Sequence, residues 1–154
     1  MNVLINILSF TGAFIFMEGF AWFMHKYVMH GWGWFLHRSH HEPHKGWFEL
    51  NDLYAVIFAA PAIWLMWLGS PAYNWVFWIG AGISAYGMSY FLFHDVLVHR
   101  RLHHKIRPKS KYMKRIIRAH KIHHKNLGKE NGKAFGFLFA LPEYDVKLKD
   151  EAES

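Results

Sequence analysis

The chain writes one uncommon pentad twice, HRSHH at His37 to His41 and HKIHH at His120 to His124. Two wider pairs accompany them: HKYVMH carries His25 and His30, and HDVLVH carries His94 and His99. The order is pair, triplet, pair, triplet, so ten of the thirteen histidines fall in a pattern. Neutral imidazole suits zinc, copper, iron and nickel, so the donor type points to metal chemistry without naming the element. Ten donors exceed the roughly four ligands of one zinc site and suit two ions. Residues i, i+3 and i+4 share a helix face, so each triplet can serve one ion or divide its rings between two neighbours. Residues i and i+5 stand about 140° apart on a regular helix. The pairs therefore serve different ions, or the helix is irregular there, as in a π-bulge. At this level both readings stay open.

Other chemistries fit less well. HExxH is absent, which weakens a zinc peptidase reading, and so is the Glu-x-x-His of ferritin-like di-iron bundles. A set of pH-sensing imidazoles is the bland alternative, but ten partly buried rings without metal would each need a hydrogen-bond partner. His44, His103 and His104 lie outside the pattern in basic loops and read as solvated; His103 and His104 are kept only as extra candidates.

The elements that position these rings are membrane helices. From Leu53 to Phe93 there are 41 consecutive residues without Asp, Glu, Lys, Arg or His, and from Val3 to Met24 the only charge is Glu18. As a helix, Val3 to Met24 covers roughly 33 Å, enough for a hydrocarbon core of about 30 Å. The longer run is broken by Gly69-Ser70-Pro71 and reads as a hairpin, Leu53 to Leu68 out and Trp75 to Phe93 back. Buried soluble helices are the alternative, and blocks of this length argue against it. The beginning lacks the basic region and small-residue cleavage site of a signal peptide. Ser9, Gly12, Gly80, Gly82, Ser84 and Gly87 are positions where helix backbones can approach. Ala134 to Leu141 is apolar but too short to span. The expected fold is all-α: an integral membrane protein of three to four transmembrane helices, with a His-rich helical cap holding a di-metal site. The chain reads as one domain over 1–154, with spans near 3–24, 53–68 and 75–93, His-box segments 25–52 and 94–142, and a polar tail 143–154.

All eighteen Lys and Arg lie in Lys26 to Lys45 or Arg100 to Lys149. Positive charge favours the cytoplasmic side, so both His-rich regions are expected there. The basic stretch Arg100 to Lys121 can steer an acidic protein or contact anionic headgroups; nucleic acid is disfavoured for charges beside membrane spans. Zero cysteines exclude thiolate metal sites and disulfides. Asp95, Asp52 and Glu49 are candidates to accept N–H from ligating imidazoles, with a cap or salt bridge as the alternative. Glu18 is an intramembrane acid, a functional candidate by default, or a hydrogen bond to a neighbouring helix. Trp22, Trp47, Trp64, Trp67, Trp75 and Trp78 read as interface anchors.

The stretches FMHKYVMHGWGW, HRSHHEP, FELNDLYAV, YFLFHDVLVHRR, RAHKIHH and FGFLFALP run from about Glu18 to Pro142. With these boxes around a hydrophobic hairpin, the chain resembles the membrane fatty-acid hydroxylase superfamily and, within it, the bacterial β-carotene hydroxylases. The resemblance implies a non-haem di-iron monooxygenase in the bacterial inner membrane, with the ten patterned histidines as ligands and the boxes cytoplasmic. It would hydroxylate carbon 3 of each β-ionone ring, taking β-carotene through β-cryptoxanthin to zeaxanthin with O2 and two external electrons per step. Two iron ions are implied, replaceable by zinc or another divalent metal in a purified sample, without haem, bound flavin or nicotinamide. Electrons would come from a ferredoxin-type donor with its reductase, since the chain has neither cysteines nor a Gly-rich dinucleotide motif. The alternatives are another membrane lipid as substrate (fatty acyl, sphingolipid or sterol) and, in a different class, a non-catalytic membrane metal-binding protein. A transport protein would want its ligands near the bilayer midplane, whereas these histidines begin where the spans end.

Overall fold

In the computed structural model, residues 2–43 and 46–145 are described, and five α-helices carry the fold. They are α1 (Val3–Phe23), α2 (Trp34–His41), α3 (Asp52–Gly69), α4 (Trp75–Tyr90) and α5 (Lys111–His124). His44 and the end of the tail after Asp145 lie outside the described residues.

Three helices are long and apolar enough to cross a membrane: Val3–Trp32, Asp52–Gly69 and Trp75–Val98. Most of their apolar side chains face outward, Val3, Ile15, Phe16, Val56, Ile63 and Trp67 among them. Lipid, not water, makes that arrangement favourable. The α3–α4 hairpin forms at the Gly69-Ser70-Pro71 break, where Asn74 caps α4 by accepting from the Val76 N–H at 3.0 Å.

α4 packs against both α1 and α3. Small residues allow it: a Cβ on Gly80 would stand 2.6 Å from the Ala62 carbonyl oxygen, and one on Gly82 would collide with the Phe10 carbonyl. A Cβ on Gly12 or Gly87 would meet nothing within 4 Å among the described residues, so only part of the expected small-residue set serves close approach. The inner core is Met17 and Ala21 of α1, Tyr86 of α4 and Phe137 from the C-terminal segment.

Two of the long helices run past the ends expected from hydropathy, and both change pitch as they do so. α1 continues as a π-helical stretch over Met24–Trp32, and α4 as another over Phe91–Val98. Backbone bonds of the five-residue kind mark them, His99 N–H to the His94 carbonyl at 2.9 Å and Gly33 N–H to the Val28 carbonyl at 2.8 Å. Gly31 then leaves helical geometry at φ −110°, ψ −125°, and the chain turns into α2. The C-terminal ends of α1 and α4 and the N-terminal end of α3 thus share one end of the bundle, where α2, α5 and the irregular segment 126–141 form a cap. Trp32, Trp47 and Phe48 project outward at this end, as interfacial aromatic residues do.

Candidate metal centre

The ten patterned histidines gather into two groups of five. His25, His30, His37, His41 and His123 make the first; His40, His94, His99, His120 and His124 make the second. Within each, one nitrogen from every ring lies within 4.8 Å of the others. The π-helical stretches settle the spacing question: each wide pair stays together, with ring centroids 5.3 Å apart for His25 and His30 and 4.5 Å for His94 and His99. Each triplet is divided. The first pentad sends His37 and His41 one way and His40 the other; the second sends His120 and His124 one way and His123 the other. The groups are therefore neighbours, and rings touch between them, as His41 stacks on His124 at 4.5 Å.

Hydrogen bonds define which nitrogen is free. In the first group His25 Nδ1 donates to the Phe135 carbonyl (2.9 Å) and His30 Nδ1 to Lys129 (3.0 Å). His41 Nδ1 donates to the Asn126 carbonyl (3.0 Å), His123 Nδ1 to Lys133 (2.7 Å) and His37 Nδ1 to Asn51 Oδ1 (2.7 Å). Oxygens of this kind only accept, so Nδ1 holds the proton and Nε2 carries a bare lone pair. Those Nε2 atoms face one another at 3.2 Å for His25 and His37, and at 3.1 Å for His30 and His123. Converging lone pairs repel unless a cation lies among them, so the donor set fits a transition-metal ion.

The second group repeats the convergence with different backing. His40 Nδ1 donates to Glu49 Oε2 at 2.8 Å and His94 Nδ1 to Asp95 Oδ1 at 3.1 Å. Nε2 atoms again meet, at 3.0 Å for His40 and His94 and 2.9 Å for His99 and His120. His124 Nε2 is buried with no hydrogen-bond partner among the described residues, as a ligand nitrogen would be. Arg101 ties the acids together, reaching Asp52 at 2.8 Å, Glu49 at 3.2 Å and Asp95 at 3.6 Å. One group is thus backed by neutral carbonyl and amide oxygens, the other in part by carboxylates, which raise the basicity of a ligating ring.

Burial keeps these rings neutral, the form that binds metal. It pushes His37 and His123 down to about 3, His41 to about 4 and His124 to about 2, with neighbouring imidazoles adding to the effect. His40 and His120 are lowered well below the usual range for the same reason.

The remaining candidates divide. Glu49 and Asp95 accept from the Nδ1 of His40 and His94, while Asp52 bonds no histidine among the described residues, pairing with Arg101 and accepting from the Glu49 N–H at 3.0 Å. His103 is exposed, and His104 holds a turn, donating to the Val96 carbonyl at 2.8 Å and accepting from Ile106 N–H at 3.1 Å; neither joins a group. Glu18 bonds the neighbouring helix through Tyr86 and also the backbone of 137–139. Sequence reasoning missed Asn51, the carbonyls of 126–135, and Trp34, whose ring lies 5.1 Å from His30 and 5.2 Å from His41. A narrow apolar crevice between Tyr90, Phe93, Val98, Ile116 and Phe137 reaches His94 and His120 of the second group.

Comparison with known proteins follows the same pattern. The family model for fatty acid hydroxylases matches residues 10–145. A β-carotene hydroxylase of Pantoea ananas is 52% identical over 92% of this chain and 78% of its own length. One from Pseudescherichia vulneris is 47% identical over 94% and 82%. The chloroplastic β-carotene 3-hydroxylase 2 of Arabidopsis thaliana is 36% identical over 93% of this chain and 48% of its own. No solved structure matches.

Proposed function

The chain belongs to the fatty acid hydroxylase family, and from that premise we propose that it is a carotenoid hydroxylase of the bacterial inner membrane, acting on carbon 3 of β-ionone rings. The observation that carries this is the pair of adjoining five-histidine groups at the ends of membrane helices, in a chain whose relatives bear the name β-carotene hydroxylase. β-Carotene goes to β-cryptoxanthin and then zeaxanthin. Each step balances as R–H + O2 + 2 electrons + 2 protons giving R–OH + water.

Two iron ions, when bound, supply the oxygen and one-electron chemistry that no side chain can perform on an unactivated C–H bond. The protein's part is to hold, orient and enclose. Ten imidazoles fix the two positions, and their Nδ1 partners aim each ring. Phe135 and Phe137 lie against His25, with ring centroids at 5.4 and 5.3 Å, and keep water from the first group. The apolar crevice from Tyr90 to Phe137 marks the side from which a hydrocarbon ring would approach the second group, the lining side chains parting to admit it.

Electrons come from a ferredoxin-type donor with its reductase, docking on the basic face formed by α5 and the loop before it, on the cytoplasmic side. Exposed Lys105, Arg107, Lys109 and Lys111 lie there, and anionic lipid competes for the same charges. Expression in cells that accumulate β-carotene tests the reading. Zeaxanthin is expected only when the protein is present; a hydroxylated fatty acid or sterol with carotenoids untouched would replace the substrate, and metal uptake without any product would reject catalysis.

A further inference from the structure

Glu18 lies two helical turns before His25, within the longest apolar helix, and its partners explain why a carboxylate is kept there. Its oxygens meet donors only. Oε1 accepts from the backbone N–H groups of Phe137 (3.1 Å), Leu138 (3.0 Å) and Phe139 (3.0 Å). Oε2 accepts from the Tyr86 hydroxyl at 2.7 Å and again from Leu138 N–H at 3.1 Å. Three successive amides converging on one anion form a backbone nest, and donors to a carboxylate are the stronger kind of hydrogen bond. Gly136 allows the nest to close, because a Cβ there would stand 2.5 Å from the Phe139 carbonyl oxygen.

The segment so held is the one that aims the first histidine group. Four of that group's five Nδ1 acceptors are carbonyls of Asn126, Lys129, Lys133 and Phe135. The segment has almost no regular structure of its own, and Asn131 and Ala134 sit at positive φ (61° and 57°), a conformation that Asn adopts readily and that strains Ala. It is pinned at one end by the C-terminus of α5 and at the other by Glu18. The second group meets it through the Phe137 ring, 5.4 Å from His94, while the carboxylates that accept from His40 and His94, Glu49 and Asp95, stand on other elements.

We infer that Glu18, with Tyr86, is a positioning residue that acts chiefly on one metal position, holding segment 126–139 so that its carbonyls orient the ligands of the first group. This rests on the reading of both groups as metal sites.

The test uses the full chain in detergent, loaded with Co2+, and follows release of the metal to excess chelator. Wild type takes up two equivalents and releases them slowly. In Glu18→Gln the nest loses its anion and the amide NH2 meets Leu138 N–H where Oε2 accepted, and one equivalent is released about 10-fold faster, the low end of the effect seen when a ligand's orienting partner is lost; the other is accelerated less. Asp95→Asn accelerates the other equivalent, which assigns the two phases. Tyr86→Phe removes a single donor and speeds the same phase as Glu18→Gln by a smaller factor. Should Glu18→Gln yield no folded protein, Tyr86→Phe decides, and an unchanged release from it overturns the inference. So does equal acceleration of both equivalents in Glu18→Gln, or of neither. Failure of wild type to take up two equivalents would instead strike the metal reading itself, before Glu18 enters.

Discussion

A histidine is informative in a sequence because its spacing survives into geometry, and here all ten patterned rings reach a group. What aims them is less visible. Glu49 and Asp95 were legible as nearby acids, but a backbone carbonyl carries no sequence mark, so the acceptors at Lys129, Lys133 and Phe135 could only be seen in the fold. Because His40 and His123 belong to different groups, His40→Ala and His123→Ala should each abolish hydroxylation while membrane insertion persists. Metal analysis should show each variant losing one ion; turnover retained in both would reject the ligand set. Acid provides a second test on the metal-stripped protein. The unfolded chain's histidines take up protons below about 6.5, whereas burial holds folded His37 near 3 and His41 near 4. Between those values the unfolded state binds more protons, so stability falls as pH falls. A thermal melt should be level above pH 7 and drop steadily from pH 6.5 towards 4.

Among elements, the hairpin and the first span were readable from hydropathy, and their turn from Gly69-Ser70-Pro71. The π-helical continuations were not, since an i to i+5 pair is written identically whether its ions are shared or separate. The deciding fact is the backbone bond from His99 N–H to the His94 carbonyl, which only three-dimensional packing selects. Helix contact was half legible in the same way. Six small residues were candidates for close approach, yet Gly80 and Gly82 face a backbone while Gly12 and Gly87 face none. Gly82→Leu should therefore push α1 from α4 and cost about 1–3 kcal/mol, whereas Gly12→Leu should be close to neutral. Reversible unfolding in mixed detergent distinguishes the two, and equal losses would deny that the α1–α4 contact is built on Gly82.

Over the whole molecule, charge and lipid exposure set the frame. Every Lys and Arg among the described residues belongs to the end that carries the histidines, and the helices present apolar surface along their length. A chain with no cysteine makes orientation easy to measure. In intact cells, Ser70→Cys in the hairpin turn should react with an impermeant maleimide, and Lys109→Cys only after the membrane is opened; the opposite pattern would invert the topology. The location of both histidine groups at one end of the bundle also bears on product timing. On the proposed function, both rings of the symmetrical β-carotene rod must reach this one end of the bundle, so they are met in separate visits. Between visits the rod must be let go, turn end for end and be caught again. Turnover is then distributive, and a pulse of β-carotene should raise free β-cryptoxanthin to a peak before zeaxanthin overtakes it.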